Sequence, residues 1–338
     1  MPIESRIPFA WRLCQSEAHN RLWHSPLGRP SGIISCCKPS ASTPVRPIRS
    51  SGCSESIQPI GRPRLKSLHD AVALQDFHVH THLSPCAKDP AWTPEAIARR
   101  AEEIGMRTVV LADHYYERRP GFDPPPFYAE VNEDCFERTA RAVAALDTDV
   151  EMLVSCEIDM VRPGLFTLSE EFASRLPVGL VSASHYHLEG IEQPQAQDAR
   201  GLGRYLVDRM RAAIEWPPTQ ILAHPLSALQ GSLGDLGKVL DAIADEEFAE
   251  VLALARERDV AIELRASVFG EDKEHHGRHM RFYGLARSAG CKIAPVSDAH
   301  SAEKFGSTFD LVPWVERLGF GAEDVIDSDW LRVCSCRG

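Results

Sequence analysis

The stretch that decides the fold is DFHVHTHLSPCAK, residues 76–88, in which three histidines fall within five residues. The apolar run before it, residues 71–74, predicts a strand that continues into this stretch. Side chains two apart lie on the same face of an extended backbone, so His78 and His80 are predicted to address one point in space. Imidazole is a common ligand of zinc and similar ions, so the pair indicates a metal site, although an H-x-H pair alone is short and frequent.

Composition places the chain among soluble globular proteins. Hydrophobic residues make up 43% and charged residues 25% of its 338 residues, and no apolar run is long enough to predict a membrane span. The ten cysteines are scattered without a C-x-x-C pair, and the N-terminus lacks the apolar core of a secretion signal. We therefore expect reduced thiols and a cytoplasmic protein.

Charge divides the chain near residue 69. Residues 1–69 hold ten Lys and Arg against three Asp and Glu and are rich in Pro, Ser and Arg, which predicts a disordered extension with few contacts to the rest. An organelle transit peptide could have this composition, and so could a translated leader without a role. Residues 70–338 carry a net charge of −18 and are predicted to form one α/β domain. This acidic body makes nucleic acid an unlikely partner, because nucleic-acid-binding surfaces are usually basic.

Short apolar runs alternate with amphipathic helical segments after residue 71, which is typical of a parallel sheet with crossover helices. Thr93 and Pro94 predict a helix start and Gly105 predicts its end, which completes one β-α-β unit. Further helices are predicted at 134–146, 203–215, 235–258 and 279–289. The predicted strands are residues 72–79, 108–112, 151–156, 178–183, 220–223, 260–264 and 292–296. Seven strands with crossover helices favour a closed or nearly closed barrel.

Each predicted strand ends in a charged or metal-competent side chain. In a barrel of parallel strands these ends form one rim, where active sites are built. A chance placement at one strand end is common, but at all seven it is improbable, so the pattern predicts a metal centre at this rim. The strand-end residues, in chain order, are His78 and His80; Asp113 and His114; Glu157; His185 and His187; His224; Glu263 and Arg265; and Asp298 and His300.

Taken together, HVHT, ADHY, the lone Glu157, SASHYH, ILAHP and SDAH resemble the motifs of the PHP (polymerase and histidinol phosphatase) superfamily of metal-dependent phosphoesterases. The resemblance spans residues 74 to about 306. It implies a distorted seven-stranded TIM-like barrel that holds two or three divalent ions of zinc, manganese or iron.

The resemblance also implies a ligand set. The first metal is expected at His78, His80, Glu157 and Asp298, with Glu157 bridging to a second metal at His185 and His224, and with His114 and His300 completing a third position. Many members place a histidine where this chain has Cys86. Thiolate is a good zinc ligand and a poor one for manganese, so Cys86 either favours zinc or is a buried thiol without a metal role.

Two close divalent ions would activate a bridging water to attack phosphorus, so no side-chain nucleophile is required. His300 or His187 could protonate the leaving alkoxide. Arg265 could bind a substrate phosphate or pair with a rim acid. Asp113 is expected to orient a ligand histidine rather than to bind metal.

Three functions fit these observations. The first is hydrolysis of a small phosphate monoester, with histidinol phosphate as the family's best-known substrate and SASHYH similar to that branch. The second is a nuclease or nucleotide-phosphate hydrolase, and the third is a metal-binding barrel without activity that serves a partner protein. Segment 115–128 is long, aromatic and rich in proline, which suits a lid or a specificity wall over the site.

Overall fold

A computed structural model describes residues 67–227, 234–270 and 272–335. The predicted extension, residues 1–69, lies outside this part of the chain except for its last three residues. The helices are α1 (Leu68–Ala73), α2 (Pro94–Ile104), α3 (Glu133–Ala144), α4 (Glu170–Ala173), α5 (Ala199–Glu215), α6 (Leu236–Asp241), α7 (Asp245–Glu257), α8 (His276–Ala289), α9 (Val312–Leu318) and α10 (Ser328–Ser335). The strands are β1 (Gln75–Val79), β2 (Thr108–Leu111), β3 (Glu151–Val154), β4 (Cys156–Arg162), β5 (Leu165–Phe166), β6 (Gly179–Ser182), β7 (Ile221–Ala223), β8 (Ala261–Arg265) and β9 (Ile293–Val296).

The strands form two sheets with crossover helices between them. One sheet has the order β1-β2-β3, and the other has the order β5-β4-β6-β7-β8-β9. Every pairing is parallel except that of β4 with β5. The predicted parallel α/β architecture is therefore confirmed. None of the helices in the described part of the chain has the length and apolarity needed to cross a bilayer.

Backbone hydrogen bonds connect the two sheets at both of their ends. At one end, Ser155 lies between β3 and β4, and the N–H of Glu157 donates to the carbonyl of Ala112 at 3.2 Å. At the other end, the N–H of Asp298 donates to the carbonyl of His78 at 3.0 Å, and His80 donates to Ala299 at 2.9 Å. These contacts bring the carboxyl ends of all the parallel strands around a common centre.

The first predicted strand is wrong over residues 72–74, because this segment continues helix α1 and its C-cap. Ser67 caps the helix by accepting a hydrogen bond from the N–H of Asp70 at 3.0 Å. One buried face of Ala71, Val72 and Ala73 packs against the protein, so burial alone made the run look like a strand. The extended backbone begins at Gln75.

The predicted helix at 235–258 is also wrong, because it is two helices separated at residues 242–244. Arginines from neighbouring helices accept the strain of this break by donating to the freed carbonyls. Arg200 donates to Ala242 at 2.7 Å, and Arg281 donates to Ile243 at 2.6 Å. A tertiary contact thus ends a helix that its apolar periodicity would continue.

Strands β4 and β5 form a short hairpin that the sequence pattern did not predict. The turn requires a left-handed residue, which Gly164 supplies with φ +78°. The hairpin extends β4 well beyond Glu157, so that Asp159 is also held in a strand.

A fully buried arginine ties β4 to β6. Arg209 of α5 donates from Nε to the carbonyl of Ala183 at 2.7 Å and from Nη2 to the carbonyl of Met160. Its guanidinium also lies 5.8 Å from the ring of Tyr186 and 5.6 Å from the ring of Tyr205. The two carbonyls belong to segments that carry Asp159 and His185, so Arg209 fixes the spacing between them.

Asp76 closes the seam between β1 and β9. Its Oδ1 accepts the backbone N–H of Ser297 at 3.0 Å and that of His78 at 3.3 Å, while Oδ2 accepts the Ser297 hydroxyl. Asp76 is completely buried, so these donors have no access to water.

We expect Asp76→Ala to lower the melting temperature, because each buried donor that loses its acceptor costs about 1–3 kcal/mol. Asp208→Ala, which removes an exposed acid from α5, is the matched control and should change the stability by no more than about 0.5 kcal/mol. Thermal unfolding of both variants beside the wild type checks this. Equal melting temperatures for the two variants would show that the seam does not depend on Asp76.

Candidate metal centre

The carboxylate of Glu157 lies at the centre of the predicted site. Its Oε2 is 3.1 Å from Nε2 of His78, 3.4 Å from Nε2 of His80 and 3.3 Å from Nε2 of His114. Glu157 is on β4, whereas the three histidines follow β1 and β2. One oxygen of a single carboxylate therefore faces three imidazoles from two other strand ends.

The second oxygen of Glu157 faces two more imidazoles. Its Oε1 is 2.7 Å from Nε2 of His224 and 3.6 Å from Nε2 of His185. These histidines follow β7 and β6. The two oxygens thus face different groups of histidines, which is the arrangement a carboxylate needs to bridge two cations.

Asp298 and His300 close the site from the end of β9. Asp298 Oδ1 lies 3.4 Å from Nε2 of His80 and 3.8 Å from Nε2 of His78. The ring of His300 lies 4.3 Å from that of His80, and its Nδ1 is 2.9 Å from the carbonyl oxygen of Asp298. That contact leaves Nε2 of His300 available to a metal or a substrate.

Two of these residues have left-handed backbones, Asp298 with φ +53° and His224 with φ +23°. Non-glycine residues adopt such angles at a cost and persist in them only where neighbours hold them. Arg265 pairs with Asp298, and the Ser184 hydroxyl is 2.9 Å from Nδ1 of His224. The strain coincides with the site, as expected where side-chain direction matters more than backbone comfort.

Asp159 is a member of the site that sequence reasoning missed. It is fully buried, and its carboxylate accepts from Nδ1 of His185 at 2.6 Å, from Nδ1 of His114 at 3.0 Å and from the hydroxyl of Tyr128. It follows Glu157 by two residues and therefore shares its strand face, which is the signal that could have identified it. Asp159 orients two histidines towards Glu157.

Glu263 does the same for His78. Its Oε2 accepts from Nδ1 of His78 at 2.9 Å, and both side chains are completely buried. The hydroxyl of Tyr283 donates to the backbone carbonyl of Glu263 at 2.6 Å and steadies the strand there. Carboxylates that bind the far nitrogen of a ligand histidine fix its tautomer and direction.

Asp113 contacts Thr81 and Tyr115 and no histidine among its hydrogen bonds in the described chain. Its Oδ2 accepts the hydroxyls of Thr81 at 2.6 Å and of Tyr115 at 3.1 Å, and its Oδ1 accepts the Thr81 N–H. The expectation that Asp113 orients a ligand histidine is therefore wrong in its direct form. It anchors the backbone immediately after His80 instead.

Cys86 lies beside His80 and His114, and the three possible ligand atoms are all within 4.8 Å of one another. Its Sγ is 3.1 Å from the Ser84 hydroxyl. Burial raises the pKa of the thiol, but the charge of His80 and hydrogen bonds from the neighbouring histidines outweigh it, so the pKa is well below its ordinary value. Cys86 is thus placed and charged as a thiolate ligand would be.

Arg265 and His187 occupy different places from those their predicted roles suggested. Arg265 pairs through Nη1 with Asp298 and donates through Nη2 to the Ser227 hydroxyl at 2.7 Å, so a rim acid holds its guanidinium. His187 is exposed, with its ring 5.4 Å from that of His185. Desolvation, and then the charge of His185, lowers its pKa to about 4, which disfavours the protonated form a proton donor needs.

A family model described as the PHP domain matches residues 76–267. The chain belongs to the PHP domain family. The match begins at Asp76 and includes His78 to His224, but Asp298 and His300 lie beyond it. A comparison with curated protein sequences found no match.

Solved structures show the same fold. One is histidinol phosphate phosphatase from Lactococcus lactis, complexed with zinc, L-histidinol and phosphate; it has 14% identity and a TM-score of 0.52 and covers 73% of this chain and 94% of its own. Another is of the metal-dependent tyrosine phosphatases YwqE from Bacillus subtilis and CpsB from Streptococcus pneumoniae, with 16% identity and a TM-score of 0.38, covering 73% and 88%.

The donor set of this PHP domain fits divalent ions. Because Nδ1 of His78 donates to Glu263, the neutral ring presents a lone pair at Nε2, and that atom is 3.1 Å from Nε2 of His80. Lone pairs at this distance, facing the carboxylates of Glu157 and Asp298, repel one another unless a cation or protons lie between them. The groups that could share an ion include His78, His80 and Glu157; His80, Asp298 and His300; and His114, Asp159 and His185.

Protonation shows the same excess of negative charge. Burial lowers the pKa of His78, but Glu157, Glu263 and Asp298 more than offset it and raise the pKa to about 10. The pKa values of His80 and His114 are likewise well above their ordinary value. Protons thus occupy these imidazoles at neutral pH in the metal-free protein.

Metal binding must displace these protons, because only a neutral Nε2 coordinates. We therefore expect zinc affinity to increase as pH rises from 6 to 8, by about tenfold per pH unit for each proton displaced. Calorimetric titration of the metal-free protein in buffers of different ionisation heat measures the protons released. His69→Gln, which changes an exposed histidine outside the site, should behave as the wild type. Affinity that does not vary with pH would mean that zinc does not bind these histidines.

Proposed function

We propose that this PHP domain is a metal-dependent phosphatase that hydrolyses a small phosphate monoester, similar in reaction to histidinol phosphatases. The observation that carries the proposal is the carboxylate of Glu157, which faces three imidazoles with one oxygen and two with the other. A bridging carboxylate with separate histidine groups suits two close cations, which is a common arrangement in phosphate hydrolases.

The proposed ligands of one ion are His78, His80, Glu157 and Asp298, and those of the second are Glu157, His185 and His224. His114, His300 and Cys86 are proposed for a third, and the placement of Cys86 favours zinc there over manganese. When bound, such ions neutralise charge on the phosphoryl oxygens and lower the pKa of water near phosphorus. The protein's own acids Asp159 and Glu263 hold the histidines in the tautomer that this requires.

Proton transfer to the leaving group is assigned to His300 rather than to His187. His300 is partly exposed, is held through Nδ1 by the carbonyl of Asp298 and has Nε2 free to face the substrate. Arg265 fixes Asp298 and can still orient a phosphate through the same guanidinium only if that pair loosens, so we assign it first to positioning Asp298.

We further propose that the two sheets act as one distorted seven-stranded barrel over residues 70–338. The parallel bridge between Val79 and Ala299, together with the continuity of β3 and β4 through Ser155, supports this closure. The family match over residues 76–267 lies within these bounds.

The proposal predicts that Glu157→Gln, which keeps the shape and removes the charge, reduces kcat/KM by more than the roughly 10–100-fold typical of losing a partner that orients a ligand. Metal content should fall with it. Cys86→Ser should cost less, because only the third position depends on this residue. Glu171→Gln, an exposed acid on α4, is the control and should leave both quantities unchanged.

The test measures turnover and bound metal together, on histidinol phosphate, a mononucleotide and a short oligonucleotide. Hydrolysis of monoesters that Glu157→Gln abolishes supports the proposal. Cleavage of the oligonucleotide alone would make the protein a nuclease instead, and a metal-replete, fully active Glu157→Gln protein would contradict the two-metal arrangement.

A further inference from the structure

Four aromatic rings form a row along the metal centre. The ring of Phe127 lies 5.4 Å from that of His114, His114 lies 5.5 Å from His185, and His185 lies 5.4 Å from His187. The two inner rings contact Glu157 and are buried, whereas Phe127 is half-buried and His187 is exposed. Phe127 and His187 therefore flank the metal-facing pair from opposite ends, on the side that reaches solvent.

The ring of Phe127 is held in place by its neighbours. It lies in the short 3-10 turn Pro126–Tyr128, which follows two further prolines. Tyr128 is completely buried, its ring is 5.0 Å from that of Phe127, and its hydroxyl donates to Asp159. Because the next residue is bonded to the metal centre itself, the position of Phe127 is coupled to that of the histidines.

The segment that carries Phe127 is fixed at both ends and is a wall rather than a moving lid. The N–H of Tyr116 donates to Val131 at 3.1 Å, and the N–H of Glu117 donates to Thr167 at 2.9 Å. At its other side Pro125 packs closely on Gly190, where an added Cβ would lie 3.1 Å from the proline side chain. Gly190 belongs to the loop that carries His185 and His187, so the two walls of the opening touch.

An exposed aromatic face in this position is unusual for the segment. Tyr115 and Tyr128 are buried to 1% and 0% exposure, so the segment has already supplied its core contacts through them. Phe127 keeps part of its ring open to solvent beside the site. Such a ring, already rigid, can gain a partner at little entropic cost, and aromatic rings prefer planar partners in edge-to-face or offset contact.

Building on the proposed function, we propose that Phe127 is a specificity-determining residue that selects phosphate monoesters with a planar aromatic leaving group. The phosphoryl group would face the histidines and carboxylates around Glu157, and the leaving group would lie against Phe127 with His187 on its other side. Phe127 takes no part in the bond-breaking step, so it should affect the choice of substrate more than the rate of the chemistry.

The test compares benzylphosphonate with ethylphosphonate, two stable analogues that differ in the aromatic ring, by calorimetric titration of the zinc-loaded protein. The wild type should bind benzylphosphonate roughly fivefold more tightly, the size of effect expected from one aromatic contact. Phe127→Leu should reduce this preference to less than twofold, and Phe127→Tyr, which restores a ring, should keep it. Phe122→Leu is the matched control, because that ring lies in the same segment but packs under Arg119 at 4.3 Å.

Hydrolysis of phenyl phosphate and ethyl phosphate by the same proteins separates this inference from the proposed function. If the wild type cleaves both esters and binds both phosphonates equally, the inference about Phe127 is wrong and the phosphatase assignment stands. An equal loss of preference in Phe122→Leu and Phe127→Leu would also overturn it, because the effect would then belong to the segment as a whole. If the protein neither cleaves an ester nor binds a phosphonate, both proposals fail.

Discussion

The structure depends on one constraint: a buried carboxylate, Glu157, must face five imidazoles without water. Hydrogen bonds among these groups cannot satisfy them all, because lone pairs and like charges meet at 3.1–3.6 Å. Burying such a set is costly unless a cation or several protons compensate it. The raised pKa values of the histidines show that protons do so in the metal-free chain, and the geometry is the one that divalent ions would find ready.

The rest of the fold holds that set together. Asp76 joins β1 to β9 at the point where His78 and Asp298 leave their strands, and Arg209 joins β4 to the segment before His185. Asp159 and Glu263 then fix the imidazole rings themselves. Positioning is therefore layered, from backbone seam to second carboxylate to ligand, and it allows Asp298 and His224 to keep unfavourable backbone angles.

Sequence alone predicted the strand ends and failed on what lies behind them. The period of two in β1 put His78 and His80 on one face, and the polar residue after each apolar run gave the rim. Asp159 was missed because β4 was expected to end at Cys156, so a residue beyond Glu157 had no assigned face. The partners of Asp113 and Arg265 come from distant segments, and no local pattern encodes which acid a guanidinium will meet.

The errors in the helices have the same origin. Residues 72–74 are apolar and buried in either conformation, and the Ser67 cap decides between them. The break between α6 and α7 exists because Arg200 and Arg281 supply donors from other helices. Periodicity identified the elements that bury a continuous face, and it failed where a tertiary hydrogen bond sets the boundary.

The measurement that tests the central claim most directly is anomalous diffraction from zinc-soaked crystals of this protein, collected on both sides of the zinc absorption edge. We predict at least two zinc peaks, each about 2.0–2.2 Å from a different oxygen of Glu157 and from the imidazoles that face it. Zinc bound only elsewhere on the protein, or a single ion that does not touch Glu157, would contradict the account.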